Sequence, residues 1–196
     1  MEETRLAEMI NRAQQRDPRA FDALVEAYSS RLYGYFYRFT GSRPDAEDLL
    51  QDLFVRLVRM IGQYEHEGRF DSWLFRIAGN LVRDRLRRRQ TAHRAGLGRP
   101  SGGTGDETAD PLIQYPDPSA GQPGDRLQMA EETNRLQRAI DRLPEHEREV
   151  ILLRHFSRMA FKEIAEVLEV PLGTVLARGH RGLGRLRELM EENTDA

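Results

Sequence analysis

The stretch RFDSWLFRIAGNLVRDRLRRRQ, residues 69–90, combines an apolar helical face, a Gly-Asn pair at its centre and an arginine-rich end. Its apolar residues recur every three or four positions, the spacing of one face of an α-helix (Leu74, Ile77, Ala78, Leu81 and Val82). The spacing therefore predicts a helix that begins near Asp71 and buries this face. The opposite side carries a polar stripe of three arginines and one amide (Arg76, Asn80, Arg83 and Arg87).

The same helical period extends over residues 1–90 and returns after residue 126. Asp17-Pro18 predicts a helix start, because a capping side chain precedes a proline, and this helix should end near Gly41. The next helix begins near Pro44, and its apolar positions follow a regular three-four alternation (Ala46, Leu49, Leu50, Leu53, Phe54, Leu57, Val58 and Ile61). No stretch alternates with the period of a β-strand, so the fold is predicted to be all-α.

Residues 91–126 differ in composition from the sequence on either side. They are rich in Gly, Pro, Ser and Asp, and the part from Ser101 to Asp125 contains acids but no lysine or arginine. Such a segment buries too little apolar surface to fold, and it predicts a flexible linker that spans roughly 30–40 Å as a coil. The chain is therefore divided into a helical domain at 1–90, a linker, and a second helical domain at 127–196.

Composition limits the possible classes of function. The 196 residues include no cysteine, which excludes disulfides, thiolate metal sites and cysteine nucleophiles within this chain. No apolar run approaches the roughly 20 residues of a membrane span, and the charged N-terminus lacks the apolar part of a signal peptide, so we expect a cytoplasmic protein without membrane insertion. Lys162 is the only lysine, a bias typical of GC-rich coding DNA.

Residues 161–187, FKEIAEVLEVPLGTVLARGHRGLGRLR, predict two helices joined by a short turn. Ala165 lies where the helices of a helix-turn-helix approach closely, and Ile164, Leu168 and Val175 face the core. The second helix exposes basic residues suited to a major groove and its phosphates (Arg178, His180, Arg181, Arg185 and Arg187). A plain helical hairpin with a solvated arginine face is the alternative interpretation.

Two further groups of side chains are candidates for binding. The stripe opposite the apolar face of residues 69–90 suits a nucleic-acid backbone, and the Asn80 amide suits a base edge. Trp73 and Phe75 supply aromatic surface for stacking on unpaired bases, although Trp73 fits core packing equally well and Asn80 alone fits a solvated position. In DAEDLLQD, residues 45–52, one side of the predicted helix is polar and is a candidate binding surface (Asp45, Asp48, Gln51 and Asp52). The alternative interpretation is that these are ordinary acids at a helix N-terminus, on a face that contacts only solvent.

Together, four stretches resemble the extracytoplasmic-function (ECF) sigma factors, the small two-domain initiation subunits of bacterial RNA polymerase. They are DAEDLLQDLFVRLVRMI, FDSWLFRIAGNLVRDRLRRR, LPEHEREVILLRHF and FKEIAEVLEVPLGTV, in the order and spacing of that family. The resemblance covers most of 20–90 and 127–190. It implies a transcription initiation factor that binds core RNA polymerase, directs it to promoters and assists melting, with an anti-sigma factor as a further partner.

The resemblance also implies roles for individual residues. The clamp of the polymerase would be bound by the acidic helix (Asp48, Gln51 and Asp52). The −10 element, as a single strand, would be bound by the arginine stripe and its neighbours (Trp73, Arg76, Asn80, Arg83, Arg87 and Arg88). The −35 element would be bound by the helix-turn-helix (Pro171, Thr174, Arg178, His180, Arg181 and Arg185). No metal, cofactor or catalytic residue is implied.

The recognition helix departs from the family pattern. Glu169 stands where the turn usually has glycine, and Leu176 and Ala177 stand where lysine and serine are common. Gly179, Gly182 and Gly184 lie in its interior and predict a helix weakened by roughly 2–3 kcal/mol.

The competing hypothesis is a sigma-like interaction protein that binds polymerase or an anti-sigma factor without recognising promoters. An enzyme is disfavoured, because no metal-ligand, paired-carboxylate or phosphate-loop spacing is present.

Overall fold

The computed structural model describes residues 3–94 and 123–192, and every regular element in these ranges is helical. The α-helices are α1 (Glu3–Gln14), α2 (Pro18–Thr40), α3 (Arg43–Met60), α4 (Phe70–Arg94), α5 (Pro123–Asp141), α6 (Glu145–Ser157), α7 (Phe161–Leu168) and α8 (Leu172–Glu192); a 3₁₀ turn at Ile61–Gln63 follows α3. The all-α prediction is confirmed. The predicted linker, residues 91–126, begins inside α4 and ends inside α5. Its residues 95–122 lie outside the described residues.

The ends of α2 follow from local chemistry. The Asp17 side chain accepts a hydrogen bond from the backbone N–H of Arg19, and Pro18 occupies the first turn. Gly41 ends the helix at φ 63°, a left-handed conformation that glycine adopts without the steric cost of a side chain. The predicted start and end of this helix are both confirmed.

The N-terminal domain, α1 to α4, is built around α2, which contacts each of the other three helices. The predicted apolar face of α4 is buried, with Leu74, Ala78 and Val82 fully inaccessible to solvent. The sequence stretches singled out above did not include α1, which buries Ile10 and Ala13 against this core. Its Gln14 side chain donates to the carbonyl oxygens of Ile61 and Tyr64 and so caps the end of α3.

The C-terminal domain, α5 to α8, contains the predicted helix-turn-helix in α7 and α8. Ile164 and Val175 are fully buried and Ala165 is nearly so, as the close approach of these helices requires. The turn between them places Glu169 at φ 55°. This is the position where the family usually has glycine, so the departure puts a side chain in a left-handed conformation that L-residues adopt at a steric cost.

The two domains are packed against each other in this structure. On one side of the junction, Arg31 of α2 donates two hydrogen bonds to the Phe156 carbonyl oxygen at the end of α6. On the other, Arg148 of α6 donates to the Phe39 carbonyl oxygen, and its guanidinium lies 5.8 Å from the Phe39 ring centroid. The buried apolar side chains of both domains form one continuous cluster. Within the described ranges, no helix has the length and apolar character needed to cross a membrane.

Candidate nucleic-acid interface

The polar stripe of α4 lies on the side of the helix opposite its buried face, as predicted. Arg76, Asn80 and Arg87 are exposed, whereas Arg83 is only partly so. Arg83 donates one hydrogen bond to the Asn80 side-chain oxygen and another to the carboxylate of Glu149, on α6 of the other domain. The stripe is therefore continuous, but one of its cations is paired with an acid 66 residues away in the sequence.

The aromatic residues at the start of α4 differ in accessibility. Trp73 is half-buried and packs on the Tyr64 ring, with centroids 4.8 Å apart, and on the Phe70 ring at 5.6 Å. Phe75 is fully buried and meets the Tyr35 ring edge-on. The prediction that Phe75 offers surface for base stacking is therefore wrong, since it belongs to the core, whereas Trp73 keeps part of its ring accessible.

The arginine-rich end of α4 is partly neutralised by α3. Arg85 and Arg89 both pair with the carboxylate of Asp45, and Arg85 also lies 3.3 Å from Asp48. Asp45 is buried, so the prediction that it shares the polar side of this helix with Asp48, Gln51 and Asp52 is wrong. Burial by itself raises the pKa of Asp45, but the hydrogen bond from Arg85 and the charge of Arg89 outweigh burial and leave the pKa below its ordinary value of 3.8. Arg88 remains exposed.

The exposed face of α3 carries the candidate polymerase-binding residues together. Asp48, Gln51 and Asp52 are all exposed. Beside them lie Val55 and Val58, whose exposed fractions are 49% and 39%. Val58 belongs to the predicted apolar pattern of α3, but the buried face of this helix follows Leu49, Leu53 and Leu57 and leaves Val58 at its edge. The combined acidic and apolar surface is the type used in protein contacts.

The candidate DNA-binding residues of α8 fall into two groups. Pro171 and His180 are exposed, and Thr174 and Arg178 are partly buried. Arg181 and Arg185 are exposed, but each donates to the carboxylate of Glu147 on α6, whose side chain is only 2% exposed. This pairing holds two cations of the recognition helix at defined positions and reduces their net charge.

The three glycines of α8 have different surroundings. A Cβ at Gly182 would lie 2.7 Å from Cδ1 of Ile151, and one at Gly179 would lie 3.2 Å from the Phe161 ring. A Cβ at Gly184 would meet nothing within 4 Å among the described atoms. Gly179 and Gly182 therefore allow α8 to approach α6 and α7 closely. The prediction that Gly182 only weakens the helix is wrong, whereas for Gly184 it stays a prediction.

The stripe of α4 and the start of α8 face each other across a crevice between the domains. Arg76, Asn80 and Arg83 line one wall, and Arg178 lies on the other; the volume is about 340 Å³. Glu149 also lines the crevice and is 8% exposed. Burial raises the pKa of Glu149 above its ordinary value, and the nearby Arg83 offsets only part of this effect. The structure thus brings together residues that the sequence assigned to two separate DNA elements.

Comparison with known proteins identifies the family. The model for Sigma-70 region 2 matches residues 24–92, and the model for Sigma-70, region 4 matches residues 133–186. The ECF RNA polymerase sigma factor SigW of Bacillus subtilis is 32% identical over 97% of this chain and 99% of its own length. This chain is an ECF sigma factor. It is a subunit that directs RNA polymerase to promoters.

Further similarities agree with this assignment. The RNA polymerase sigma factor CarQ of Myxococcus xanthus is 32% identical to this ECF sigma factor, over 88% of the chain and 90% of CarQ. The solved structure of the sigma factor RpoE from Bartonella quintana, in complex with the anti-sigma factor NepR, matches with a TM-score of 0.67 at 20% identity, covering 87% of this chain and 96% of RpoE. The solved structure of CnrH in complex with the cytosolic domain of CnrY matches with a TM-score of 0.64 at 24% identity, covering 94% of this chain and 96% of CnrH.

The region boundaries place the elements of this sigma factor in family terms. Region 2 spans most of α2 through most of α4, and region 4 spans the second half of α5 through most of α8. Helix α1 and residues 95–122 fall outside both matches. Within the described ranges, no group of three or more His, Cys, Asp or Glu side chains is arranged to hold a metal ion.

Proposed function

We propose that this sigma factor divides its task between its domains along the lines of the sequence prediction. Residues 1–90 bind the polymerase clamp and the −10 element, residues 127–196 bind the −35 element, and 91–126 connect them. The observation that carries the proposal is that one chain presents an acidic and apolar face on α3, an arginine–asparagine stripe on α4 and a basic helix-turn-helix. Sequencing of run-off transcripts from genomic DNA, with core polymerase alone or with this chain, tests the proposal. Chain-dependent start sites that share two motifs are expected.

The polymerase-binding surface is Asp48, Gln51 and Asp52, extended by the exposed Val55. Acidic side chains steer a cationic partner, and an exposed valine adds apolar area to the contact. Asp52 is the better residue for testing, because Asp48 also pairs with Arg85 within the fold.

Asp52→Lys with Val55→Ser should weaken capture of core polymerase by about tenfold or more, and should leave the fold intact because both side chains are exposed. Asp22→Lys on α2 is the control, since it is an exposed acid on another helix with the same change of charge. Equal capture by the test and control variants would show that this face does not bind polymerase.

The −10 surface is formed by Arg76, Arg83, Arg87 and Arg88 on the strand backbone, with Asn80 at a base edge and Trp73 for stacking. A captured unstacked base offsets an unstacking cost of a few kcal/mol, so loss of Asn80 should affect opening more than initial binding. Asn80→Ala should reduce the permanganate reactivity of promoter thymines in the polymerase complex. Asn11→Ala is the control, because Asn11 is an exposed asparagine of α1, on a different helix from the stripe. Normal reactivity in Asn80→Ala would remove Asn80 from the interface.

The −35 surface is formed by Pro171, Thr174, Arg178, His180, Arg181 and Arg185. Glu147 orients Arg181 and Arg185 without covering them, since both arginines stay about half exposed. In this assignment phosphate contacts dominate affinity, so binding of a −35 duplex should weaken steeply with salt. Arg181→Ala and Arg185→Ala should each reduce that salt dependence, measured as the slope of log affinity against log salt concentration.

Cellular context and partners complete the proposal. The protein acts in the cytoplasm on core polymerase and performs no catalysis of its own. An anti-sigma factor is a further partner, because RpoE, which shares this fold, was solved in complex with one. Co-purification of the tagged chain from its source, followed by identification of stoichiometric partners, tests this part.

A further inference from the structure

The junction between the domains brings the candidate −10 and −35 surfaces to one crevice. Arg76, Asn80 and Arg83 of α4 lie across from Arg178 at the start of α8. In a promoter the two elements lie roughly 25 base pairs, or some 85 Å, apart at about 3.4 Å per step. Two surfaces that share the walls of one crevice cannot contact both elements at once. The arrangement in this structure is therefore incompatible with the bound promoter.

The crevice is also too small for the strand that α4 is proposed to hold. Its volume of about 340 Å³ is that of a small-molecule pocket, and a strand of several nucleotides does not fit. Glu149 occupies the position beside Arg83 that a backbone phosphate would take, and the same arginine donates to the Asn80 side-chain oxygen. An acid of the C-terminal domain thus pairs with Arg83, which a DNA strand would otherwise contact, and Arg83 held in this position also occupies the side-chain oxygen of Asn80.

Contacts on both sides of this pair hold the domains together. At the start of α4, the Ser72 hydroxyl lies 3.4 Å from a carboxylate oxygen of Glu163 on α7. Just before α4, a guanidinium nitrogen of Arg69 lies 3.4 Å from a carboxylate oxygen of Glu166, also on α7. Farther along α2, the Gln137 side chain of α5 exchanges hydrogen bonds with the side chain and carbonyl of Arg38. The interface is continuous from α7 to α5, so the pairing of Arg83 with Glu149 is part of a packed arrangement.

We propose that this closed arrangement is an autoinhibited state of the free sigma factor, in which Glu149 competes with the −10 strand for Arg83. The proposal rests on the proposed function of α4. In the closed state the chain binds promoter DNA weakly, and separation of the domains frees both surfaces together. At about 3.4 Å per residue, segment 95–122 has a contour length of roughly 95 Å, which is sufficient for the separation that a promoter requires.

The absence of native cysteine makes a direct test possible, because two cysteines can be introduced without side reactions. Ser72→Cys and Glu163→Cys, in the full chain, place thiols on α4 and α7 across the interface. A short bis-maleimide with a cleavable disulfide in its spacer should join them in high yield. The joined protein should bind a −10 single-stranded oligonucleotide about tenfold more weakly than the uncrosslinked protein, and cleavage of the spacer should restore binding. The oligonucleotide sequence comes from the run-off transcripts.

Two results would overturn the proposal: failure of the cross-link to form, or equal binding before and after spacer cleavage. Run-off transcription by the uncrosslinked protein separates this failure from failure of the proposed function. If that protein supports transcription while cross-linking has no effect on oligonucleotide binding, only the autoinhibition is wrong. If it directs no transcription by core polymerase, the function itself is wrong.

A charge reversal provides a second, independent measurement. Glu149→Lys places a cation against Arg83 and should both lower the cross-linking yield and strengthen oligonucleotide binding about tenfold. Glu132→Lys is the control, since it makes the same change of charge at an exposed position of α5. Glu149→Lys could instead strengthen oligonucleotide binding while giving the same cross-linking yield as Glu132→Lys. In that case the added charge acts on DNA directly, and the closed state is not inhibitory.

Discussion

Single alanine substitutions at Gly184 and Gly182 of α8 should change stability in opposite directions. Both residues lie inside the same helix, so each alanine gains about 1 kcal/mol of helix propensity relative to glycine. At Gly184 the new methyl group meets no described atom within 4 Å, and the full gain of about 1 kcal/mol should appear. At Gly182 the methyl group would lie 2.7 Å from Cδ1 of Ile151 and 3.2 Å from Cβ of Glu147.

The contact distances set the expected size of the loss at Gly182. The Ile151 methyl group can rotate away, but Cβ of Glu147 moves only with the α6 backbone, so α8 must shift relative to α6. Overpacking of this kind costs about 1–3 kcal/mol. After the gain in propensity, Gly182→Ala should be destabilised by about 1 kcal/mol.

The assay is urea unfolding of the full chain, followed by far-UV circular dichroism, with both variants measured beside the parent protein. The two variants should differ by about 2 kcal/mol in free energy of unfolding, with Gly184→Ala the more stable. Equal stabilisation of both variants would refute the close approach of α6 and α8 at Gly182. Equal loss would instead show that Gly184 is needed for a contact made outside the described residues.

Three further substitutions test individual contacts. Asp45→Asn should lower the free energy of unfolding by about 2–3 kcal/mol at neutral pH in urea titrations, because Arg85 and Arg89 lose their shared acid. Since the pKa of Asp45 is lowered in the folded state, its contribution is present above pH 3.8 and is lost as the pH falls below that value, so parent and variant should converge in acid. Glu169→Gly should raise the thermal unfolding midpoint, because glycine adopts the left-handed conformation of this turn without steric strain and the free energy of unfolding should rise by about 1 kcal/mol. An unchanged midpoint would mean that the turn is not strained. Tyr35→Phe should be neutral or gain about 1 kcal/mol in urea unfolding, because the buried Tyr35 hydroxyl has no hydrogen-bond partner among the described atoms, and a clear loss would reveal a partner.

Local signals in the sequence were sufficient for the helices themselves. Asp17-Pro18 and Gly41 define the ends of α2 by capping, which depends on a few neighbouring residues and is therefore visible without a fold. Ile164, Ala165 and Val175 likewise predicted the packing of α7 on α8. The residues of the polar stripe on α4 were predicted correctly as a stripe, because a regular spacing fixes which side chains share a helix face.

The sequence did not predict features that depend on contact with a second helix. Trp73 and Phe75 both adjoin the apolar face of α4, and only the packing of Tyr35 shows that Phe75 belongs to the core. The pairing of Arg83 with Glu149 joins positions 66 residues apart, and no local pattern marks it. Gly182 illustrates the same limit, because a glycine that weakens a helix and one that permits close contact are identical in sequence.

The continuous apolar cluster shared by the two domains has a consequence for the lifetime of the protein. Helix α2 packs against α3 on one side and α6 on another, so separating the domains uncovers one of its faces. Newly wetted apolar surface costs about 25 cal/mol per Å² and is also what proteases and aggregating chains engage. A separated molecule that fails to meet polymerase should therefore be degraded faster than a closed one. The closed arrangement would then keep a reserve of the factor intact between uses, and brief trypsin digestion of the cross-linked protein, before and after cleavage of the spacer, should show it.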